Sequence, residues 1–74
     1  MPDIRILITD DHPIVVKGIR DILDSAVGLK VVGEAPTGTL AIQLTHDLKP
    51  DILLLDMELP DLSGVEVVKR LSAV

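Results

Sequence analysis

The chain has 74 residues, of which 47% are hydrophobic, and this is enough apolar material for one small packed domain. It has no Cys and no aromatic residue, which excludes a disulfide framework and a cysteine zinc site and leaves the core to aliphatic side chains. The net charge of −5 argues against nucleic-acid binding by this chain, because phosphates require clustered Lys and Arg.

The first predicted strand is a short apolar run that ends in two acids. Residues 4–9 suit a strand buried on both faces of a parallel sheet, and Asp10 and Asp11 follow it directly. Pro13 is favoured as a first helical residue, so we expect a helix from there to about Ser25. The predicted apolar stripe of this helix comprises Val15, Val16, Ile19, Ile22, Leu23 and Ala26.

The middle of the chain predicts a second strand and a second helix. Residues 30–34 contain the β-branched pair Val31 and Val32, which lies between Gly28 and Gly33, and this favours a short strand. Thr37 can cap the next helix through its side-chain oxygen, and Lys49 followed by Pro50 ends that helix. Its predicted apolar stripe comprises Leu40, Ala41, Leu44 and Leu48.

The last third of the chain predicts a strand, a loop and a helix. Residues 52–55 are all apolar and end in Asp56. Ser63 and Glu66 have the spacing of a capping box that opens the third helix. We expect Val65, Val68 and Leu71 to face inward, and the helix to continue to Val74. The order βαβαβα predicts a single α/β domain over residues 1–74, with parallel strands joined by right-handed crossovers.

Three carboxylates follow the carboxyl ends of two predicted strands. Ligands of parallel α/β sheets bind beyond these strand ends. If the first and third strands are neighbours, about 4.8 Å apart, then Asp10, Asp11 and Asp56 converge into one pocket of negative charge. Such a pocket requires a cation.

Other roles are open for the same residues. Asp10 or Asp11 could simply cap the first helix, which is a common use of Asp. Three acids aimed at one end of a sheet would repel one another and stabilise little, so capping does not account for all three. His12 lies beside Pro13 without a second ligand at metal spacing, and we expect it to be a surface or capping residue.

The chain contains, in order, Asp10-Asp11-His12-Pro13, Val15, Gly18, Leu23, Val32-Gly33-Glu34-Ala35, Pro50-Asp51, Leu54, Asp56, Met57, Pro60 and Gly64. With these residues it resembles a bacterial two-component response-regulator receiver domain. Its opening and second strand look most like those of regulators that carry a C-terminal helix-turn-helix DNA-binding domain, although no such domain lies within these residues. The resemblance covers the whole chain.

The resemblance implies a fold, a site and partners. The fold is a flavodoxin-like parallel sheet truncated to three strands in the order 2-1-3 with three helices, lacking the last two strands and the last two helices of a receiver. Asp56 is the implied phosphoacceptor, and its donor is a sensor histidine kinase or a small acyl phosphate. Mg²⁺ is the implied cofactor, bound directly by Asp11 and Asp56, by the backbone carbonyl of Glu58, and through water by Asp10.

The family's switch Thr or Ser and its Lys lie on the two strands that are lacking here. We therefore expect a weak Mg²⁺ site and a poor or inactive phosphoacceptor. We do not expect an enzyme. An alternative is an interaction module that homodimerises through the exposed edge of residues 52–55 without phosphorylation. A phosphatase with an Asp nucleophile fits poorly, because its acids usually form Asp-x-Asp and here they are adjacent, and no nucleotide-binding glycine motif occurs.

The sequence also carries expectations about location. The first three residues include an acid and lead at once into a strand, which is not the layout of a signal peptide. No apolar stretch approaches the roughly 20 residues needed to span a bilayer. We therefore expect a cytoplasmic protein that has no membrane partner.

Overall fold

A computed structural model describes residues 2–72 as an alternation of strands and helices. The strands are β1 (Ile4–Thr9), β2 (Leu29–Ala35) and β3 (Ile52–Leu55), and the helices are α1 (Pro13–Asp24), α2 (Gly38–Leu48) and α3 (Gly64–Ser72). The predicted βαβαβα order is confirmed, and β2 is one residue longer at each end than predicted. The predicted continuation of α3 to Val74 lies outside the described residues. Within residues 2–72, no helix has the length and apolar character needed to cross a membrane.

The three strands form one parallel sheet in the order β2-β1-β3, as predicted. The central strand β1 is the most buried of the three described strands, and Ile6, Leu7, Ile8 and Thr9 are all buried. This burial follows from the position of β1, which has a hydrogen-bonded neighbour on each side and helices over both faces. Among the described strands, β3 pairs only with β1, so its other edge carries no ladder.

Helices cover the two faces of the sheet. On one face, α1 packs through Val16 against Ile8 and Val31. Side chains alternate between faces along a strand, so Leu7 points the opposite way. On that second face, a Cβ added to Gly33 would lie 3.2 Å from Leu7 Cδ1 and 3.0 Å from Leu48 Cδ1 of α2. The missing side chain of Gly33 therefore lets α2 pack closely onto the sheet.

The structure corrects the predicted apolar stripe of α1. Val16 is buried and Ile19 and Leu23 pack beside it, as expected. Val15 is exposed, and Ile22 is 70% exposed, so the prediction is wrong for these two residues. The helix contacts the sheet along a narrow line of residues spaced three and four apart, namely Val16, Ile19 and Leu23. Val15 and Ile22 lie to the side of that line.

The predicted inward face of α3 is also wrong in part. Val67 is completely buried, whereas Val65 and Val68 are 50% and 49% exposed. The buried line runs through Gly64, Val67 and the partly buried Leu71, with the spacing of one helix face. The buried face of α3 differs from the predicted face because α3 packs against α2, where Val67 Cγ2 lies close to the backbone of α2.

Candidate functional site

The three acids that we predicted to converge lie together at the carboxyl ends of β1 and β3. The backbone N–H of Asp56 donates to the carbonyl of Thr9 over 2.9 Å, and the N–H of Asp10 donates to the carbonyl of Ala35 over 3.1 Å. These bonds continue the sheet ladder by one residue beyond the strands. Carboxylate oxygens of Asp10, Asp11 and Asp56, together with His12 Nδ1, all lie within 4.8 Å of one another.

His12 belongs to this cluster, which the sequence did not indicate. Its Nδ1 lies 2.6 Å from Asp10 Oδ1, 3.1 Å from Asp11 Oδ1 and 3.6 Å from Asp56 Oδ2. The hydrogen bond with Asp10 and the charge of Asp11 raise the pKa of His12 above its ordinary value. The side chain is 62% exposed, which agrees with a surface position. His12 holds the N-cap position of α1, but its side chain makes no cap hydrogen bond, so the capping interpretation is wrong for the imidazole.

Asp10 stabilises the entry to α1 without being its cap. Its Oδ1 accepts a hydrogen bond from the backbone N–H of His12 over 2.9 Å and contacts the ring of the same residue. Partial burial pushes the pKa of Asp10 upward, but these bonds with His12 outweigh it and hold that pKa below its ordinary value. Asp10 is therefore an ionised carboxylate at neutral pH.

The donors of the cluster fit a hard divalent cation. Mg²⁺ prefers oxygen ligands and keeps several waters, so two or three carboxylates that share one opening are a suitable set. The Glu58 side chain is exposed and is not in the cluster, while its backbone N–H donates to Asp56 Oδ1 over 3.0 Å. This bond holds the main chain of Glu58 against the Asp56 carboxylate.

The loop from Met57 to Ser63, called the β3–α3 loop below, is closed at both ends. Glu58 and Ser63 form an isolated antiparallel bridge, and the N–H of Gly64 donates to the carbonyl of Met57 over 2.9 Å. A Cβ added to Gly64 would lie 2.8 Å from Met57 Cα, so residue 64 must be glycine for this approach. The loop is therefore compact and joined to the site at its first residues.

The predicted capping box at the start of α3 is present only in its first half. Ser63 Oγ accepts a hydrogen bond from the N–H of Glu66 over 3.1 Å, which is the predicted cap. The Glu66 carboxylate does not accept the reciprocal hydrogen bond from the backbone N–H of Ser63. Its Oε1 instead accepts from Arg70 Nε over 3.1 Å.

Asp61 is a residue of the β3–α3 loop that sequence reasoning missed. Its carboxylate accepts hydrogen bonds from the N–H of Gly38 over 2.7 Å, and from the N–H and hydroxyl of Thr39 over 3.0 and 2.6 Å. The Thr39 hydroxyl, followed by the two N–H groups, holds the pKa of Asp61 far below its usual range. The partners are 22 and 23 residues away in sequence, so no local motif could have indicated them.

An open cleft of about 420 Å³ lies beside the acids, between α1 and the end of β2. Asp10 and Asp11 line one part of it, and Lys17 and Arg20 line another. Both cations already have partners, because Lys17 pairs with Asp21 over 3.2 Å and Arg20 pairs with Glu34. The cleft therefore extends the opening of the acidic site along α1.

Comparisons with known proteins agree with this arrangement. The family described as the response regulator receiver domain matches residues 6–74. The response regulator GacA of Pseudomonas aeruginosa is 40% identical over 68 residues, which are 92% of this chain and 32% of that protein. A protein-glutamate methylesterase/protein-glutamine glutaminase of Trichodesmium erythraeum is 42% identical over 71 residues, which are 96% of this chain and 20% of that protein. The chain spans between a fifth and a third of the length of these relatives.

Solved structures of similar sequence share the fold. The response regulator domain of Thermotoga maritima CheB has a TM-score of 0.88 at 40% identity, and the match covers 90% of this chain and 50% of that chain. A two-component response regulator of the LuxR family from Aurantimonas has a TM-score of 0.90 at 35% identity, over 96% of this chain and 51% of that chain. The chain thus spans about half the length of both, and the predicted resemblance and flavodoxin-like fold are confirmed.

Proposed function

Because the chain belongs to the response regulator receiver domain family, we propose that Asp56 is its phosphoacceptor and that the adjoining acids bind Mg²⁺. The proposed direct ligands are Asp11, Asp56 and the backbone carbonyl of Glu58, with Asp10 acting through a water. The observation that carries the proposal is the grouping of three carboxylates and His12 Nδ1 within 4.8 Å at one end of the sheet.

The chemistry proposed for Asp56 is nucleophilic attack by a carboxylate. One carboxylate oxygen attacks phosphorus, the bond between phosphorus and the donor breaks, and its electron pair leaves with the histidine nitrogen or the acyl oxygen. Bound Mg²⁺ supplies positive charge for the transferring oxygens and for the acids. The N–H of Glu58 orients the carboxylate by holding its Oδ1, which leaves the other oxygen for attack.

We expect slow phosphorylation of the 74-residue polypeptide taken alone. Among the described residues, the titratable ring of His12 is the only cationic group within 4 Å of the Asp56 carboxylate. Lys17 and Arg20 are paired with other carboxylates along α1. The oxygens of a transferring phosphoryl group would therefore receive charge mainly from the bound metal ion.

Labelling with an acyl phosphate tests the assignment. Wild type with Mg²⁺ should gain one phosphoryl group slowly, as measured by intact-protein mass spectrometry, while Asp56→Asn should gain none. Asp47→Asn, an exposed acid on α2, is the control and should behave as wild type. Equal labelling of Asp56→Asn and wild type would refute the phosphoacceptor, and rapid labelling of wild type would refute the expected slowness.

The role of the whole regulator is part of the same proposal. We propose that residues 1–74 are the N-terminal portion of a receiver domain, and that a sensor histidine kinase in the cytoplasm phosphorylates the complete regulator. The similarity to GacA supports a regulator of this kind. The similarity to the methylesterase spans 20% of that enzyme and supplies no argument for methylesterase activity here.

Homodimerisation is a second candidate function, favoured by the open edge of β3. Ile52 is exposed on this strand, and the described residues place no second neighbour beside it. An apolar edge recruits another strand, so two chains could pair there without any phosphorylation.

Sedimentation velocity tests the dimer at a protein concentration of roughly tens of micromolar, which is the order of magnitude for a weak association. Ile52→Lys should convert a dimer to a monomer, because a charge on an edge strand opposes pairing. Ile22→Lys removes an exposed apolar residue from α1 and should leave the dimer intact. A monomeric wild type, or loss of the dimer only in Ile22→Lys, would refute pairing through β3.

A further inference from the structure

We propose that Asp61 is a positioning residue, which sets the backbone at Glu58 for the phosphorylation site by clamping the β3–α3 loop to the N-terminus of α2. The inference rests on the proposed Mg²⁺ site and assigns a role to a residue outside its ligand set.

The clamp is built from three hydrogen bonds to one carboxylate. Asp61 Oδ1 accepts from the N–H of Gly38, and Oδ2 accepts from the N–H and the hydroxyl of Thr39. Two of the donors are backbone N–H groups at the first two residues of α2, where the positive end of the helix dipole favours an anion. Bonds from such donors to an ionised acceptor are shorter and stronger than neutral ones. The loop is thus held by charge as well as by shape.

Close packing supports the same contact. A Cβ added to Gly38 would lie 2.8 Å from Leu62 Cβ and 2.9 Å from Val67 Cγ2. The backbone of α2 therefore lies directly against the residue that follows Asp61 and against α3. Hydrogen bonds and van der Waals contacts hold the same part of the loop in one place.

The loop transmits this restraint to the site over a short distance in sequence. Asp61 lies three residues after Glu58, whose N–H binds Asp56 Oδ1. The bridge between Glu58 and Ser63 closes the loop around the clamp. Because only two residues separate Asp61 from Glu58, we expect a displacement at Asp61 to change the position of the Glu58 backbone. We therefore expect the clamp to set the geometry of the backbone ligand.

The experiment separates positioning from helix capping. Thr37 caps the same helix, because its Oγ1 accepts from the N–H of Leu40, but Thr37 has no bond to the β3–α3 loop among those the structure describes. Asp61→Asn weakens the clamp, and Thr37→Ala is the matched control that weakens α2 alone. Thr39→Val is a milder variant, which removes one of the three bonds and keeps the carboxylate.

Two measurements on the full chain give the readout. Mg²⁺ titration followed by backbone amide NMR gives the dissociation constant, and hydrogen exchange without metal reports on the Glu58 N–H. We expect Asp61→Asn to weaken Mg²⁺ binding by about 10-fold, which is a typical effect of replacing residues that hold metal ligands in place. Exchange at Glu58 should accelerate in parallel. Thr39→Val should change both in the same direction and by less, and Thr37→Ala should change neither while it lowers stability.

The outcomes distinguish the inference from the function on which it rests. If Asp61→Asn binds Mg²⁺ as tightly as Thr37→Ala, the positioning role is refuted and the metal site stands. If Asp61→Asn does not fold, an unchanged Mg²⁺ affinity in Thr39→Val refutes the positioning role in its place. If wild type binds no Mg²⁺, or if Asp11→Asn binds it as wild type does, the proposed site fails, and the inference fails with it.

Discussion

The backbone N–H of Asp56 donates to the backbone carbonyl of Thr9 over 2.9 Å, and this bond extends the ladder between β1 and β3 by one rung. Thr9 precedes Asp10 in the chain, so the same rung that holds Asp56 brings it beside the acidic pair. The pairing of β1 with β3 therefore brings the acids together, and the geometry of the site depends on how well the residues around this backbone bond are packed.

Thr9 itself is expected to limit stability. Its side chain is buried, and its Oγ1 has no hydrogen-bond partner among the described residues. Thr9→Val keeps the shape and removes the unsatisfied hydroxyl, so the free energy of unfolding should rise by about 1 kcal/mol. Thr9→Ser keeps the hydroxyl but removes a buried methyl group, and should lower it by about 1 kcal/mol. Urea unfolding followed by far-UV circular dichroism suits this aromatic-free chain. Destabilisation by both variants would contradict an unsatisfied hydroxyl.

Truncation of valines on α3 should distinguish its buried face from its exposed face. Val67→Ala removes fully buried apolar atoms and should lower the free energy of unfolding by about 2 kcal/mol. Val68→Ala truncates a half-exposed side chain and should change it by no more than about 0.5 kcal/mol. Thermal unfolding of the two variants side by side is sufficient. Equal losses would contradict the buried face of α3, and a larger loss for Val68→Ala would indicate the orientation that the sequence pattern predicted.

Two glycines should respond in opposite ways to the same substitution. Gly38→Ala places a methyl group 2.8 Å from Leu62 Cβ and should destabilise the fold by about 1–3 kcal/mol through overpacking. Gly18 lies inside α1 with nothing within 4 Å of its added Cβ, so Gly18→Ala should stabilise by about 1 kcal/mol through helix propensity. The free energies come from urea unfolding of both variants. A stabilised Gly38→Ala would mean that α2 and the loop do not pack as described.

The Asp61 clamp should depend on pH. Its hydrogen bonds hold the pKa of Asp61 in the folded chain well below the ordinary value of 3.8, so the ionised form favours folding. A lowered folded-state pKa contributes stability that is fully present above 3.8 and is lost as the pH falls below it. Asp61→Asn should therefore be less stable than wild type at neutral pH, and the difference should shrink in acid. Denaturant unfolding from about pH 7 to about pH 3 measures this, and a constant difference would contradict the ionised clamp.

Local chemistry was sufficient to predict the elements and the positions of the acids at the strand ends. The apolar runs before Asp10 and Asp56 end where β1 and β3 end, because strands of a parallel α/β sheet are predominantly apolar. Pro13 and Thr37 mark helix starts through a restricted φ and a side-chain acceptor, and both positions were predicted correctly. These signals act within a few residues, so they can be read along the chain.

The inward faces of helices were predicted less well. Val15, Ile22, Val65 and Val68 are apolar at helical spacing, yet all four are exposed. Periodicity defines an apolar stripe but not which part of it meets another element. That choice depends on where the sheet lies and on where two helices can approach, as at Gly38 and Val67.

The sequence by itself determined the order of the elements and the chemical character of the site, because both follow from side-chain type and short-range spacing. Only the tertiary structure decided that His12 joins the acids and that Asp61 holds the N-terminus of α2. The His12 contacts depend on the direction in which its ring points. The Asp61 contacts join residues that are 22 or more positions apart in the sequence. Pairing of β1 and β3 brings His12 Nδ1 to 3.6 Å from Asp56 Oδ2, and packing of α2 against α3 accompanies the hydrogen bonds of Asp61 to Gly38 and Thr39.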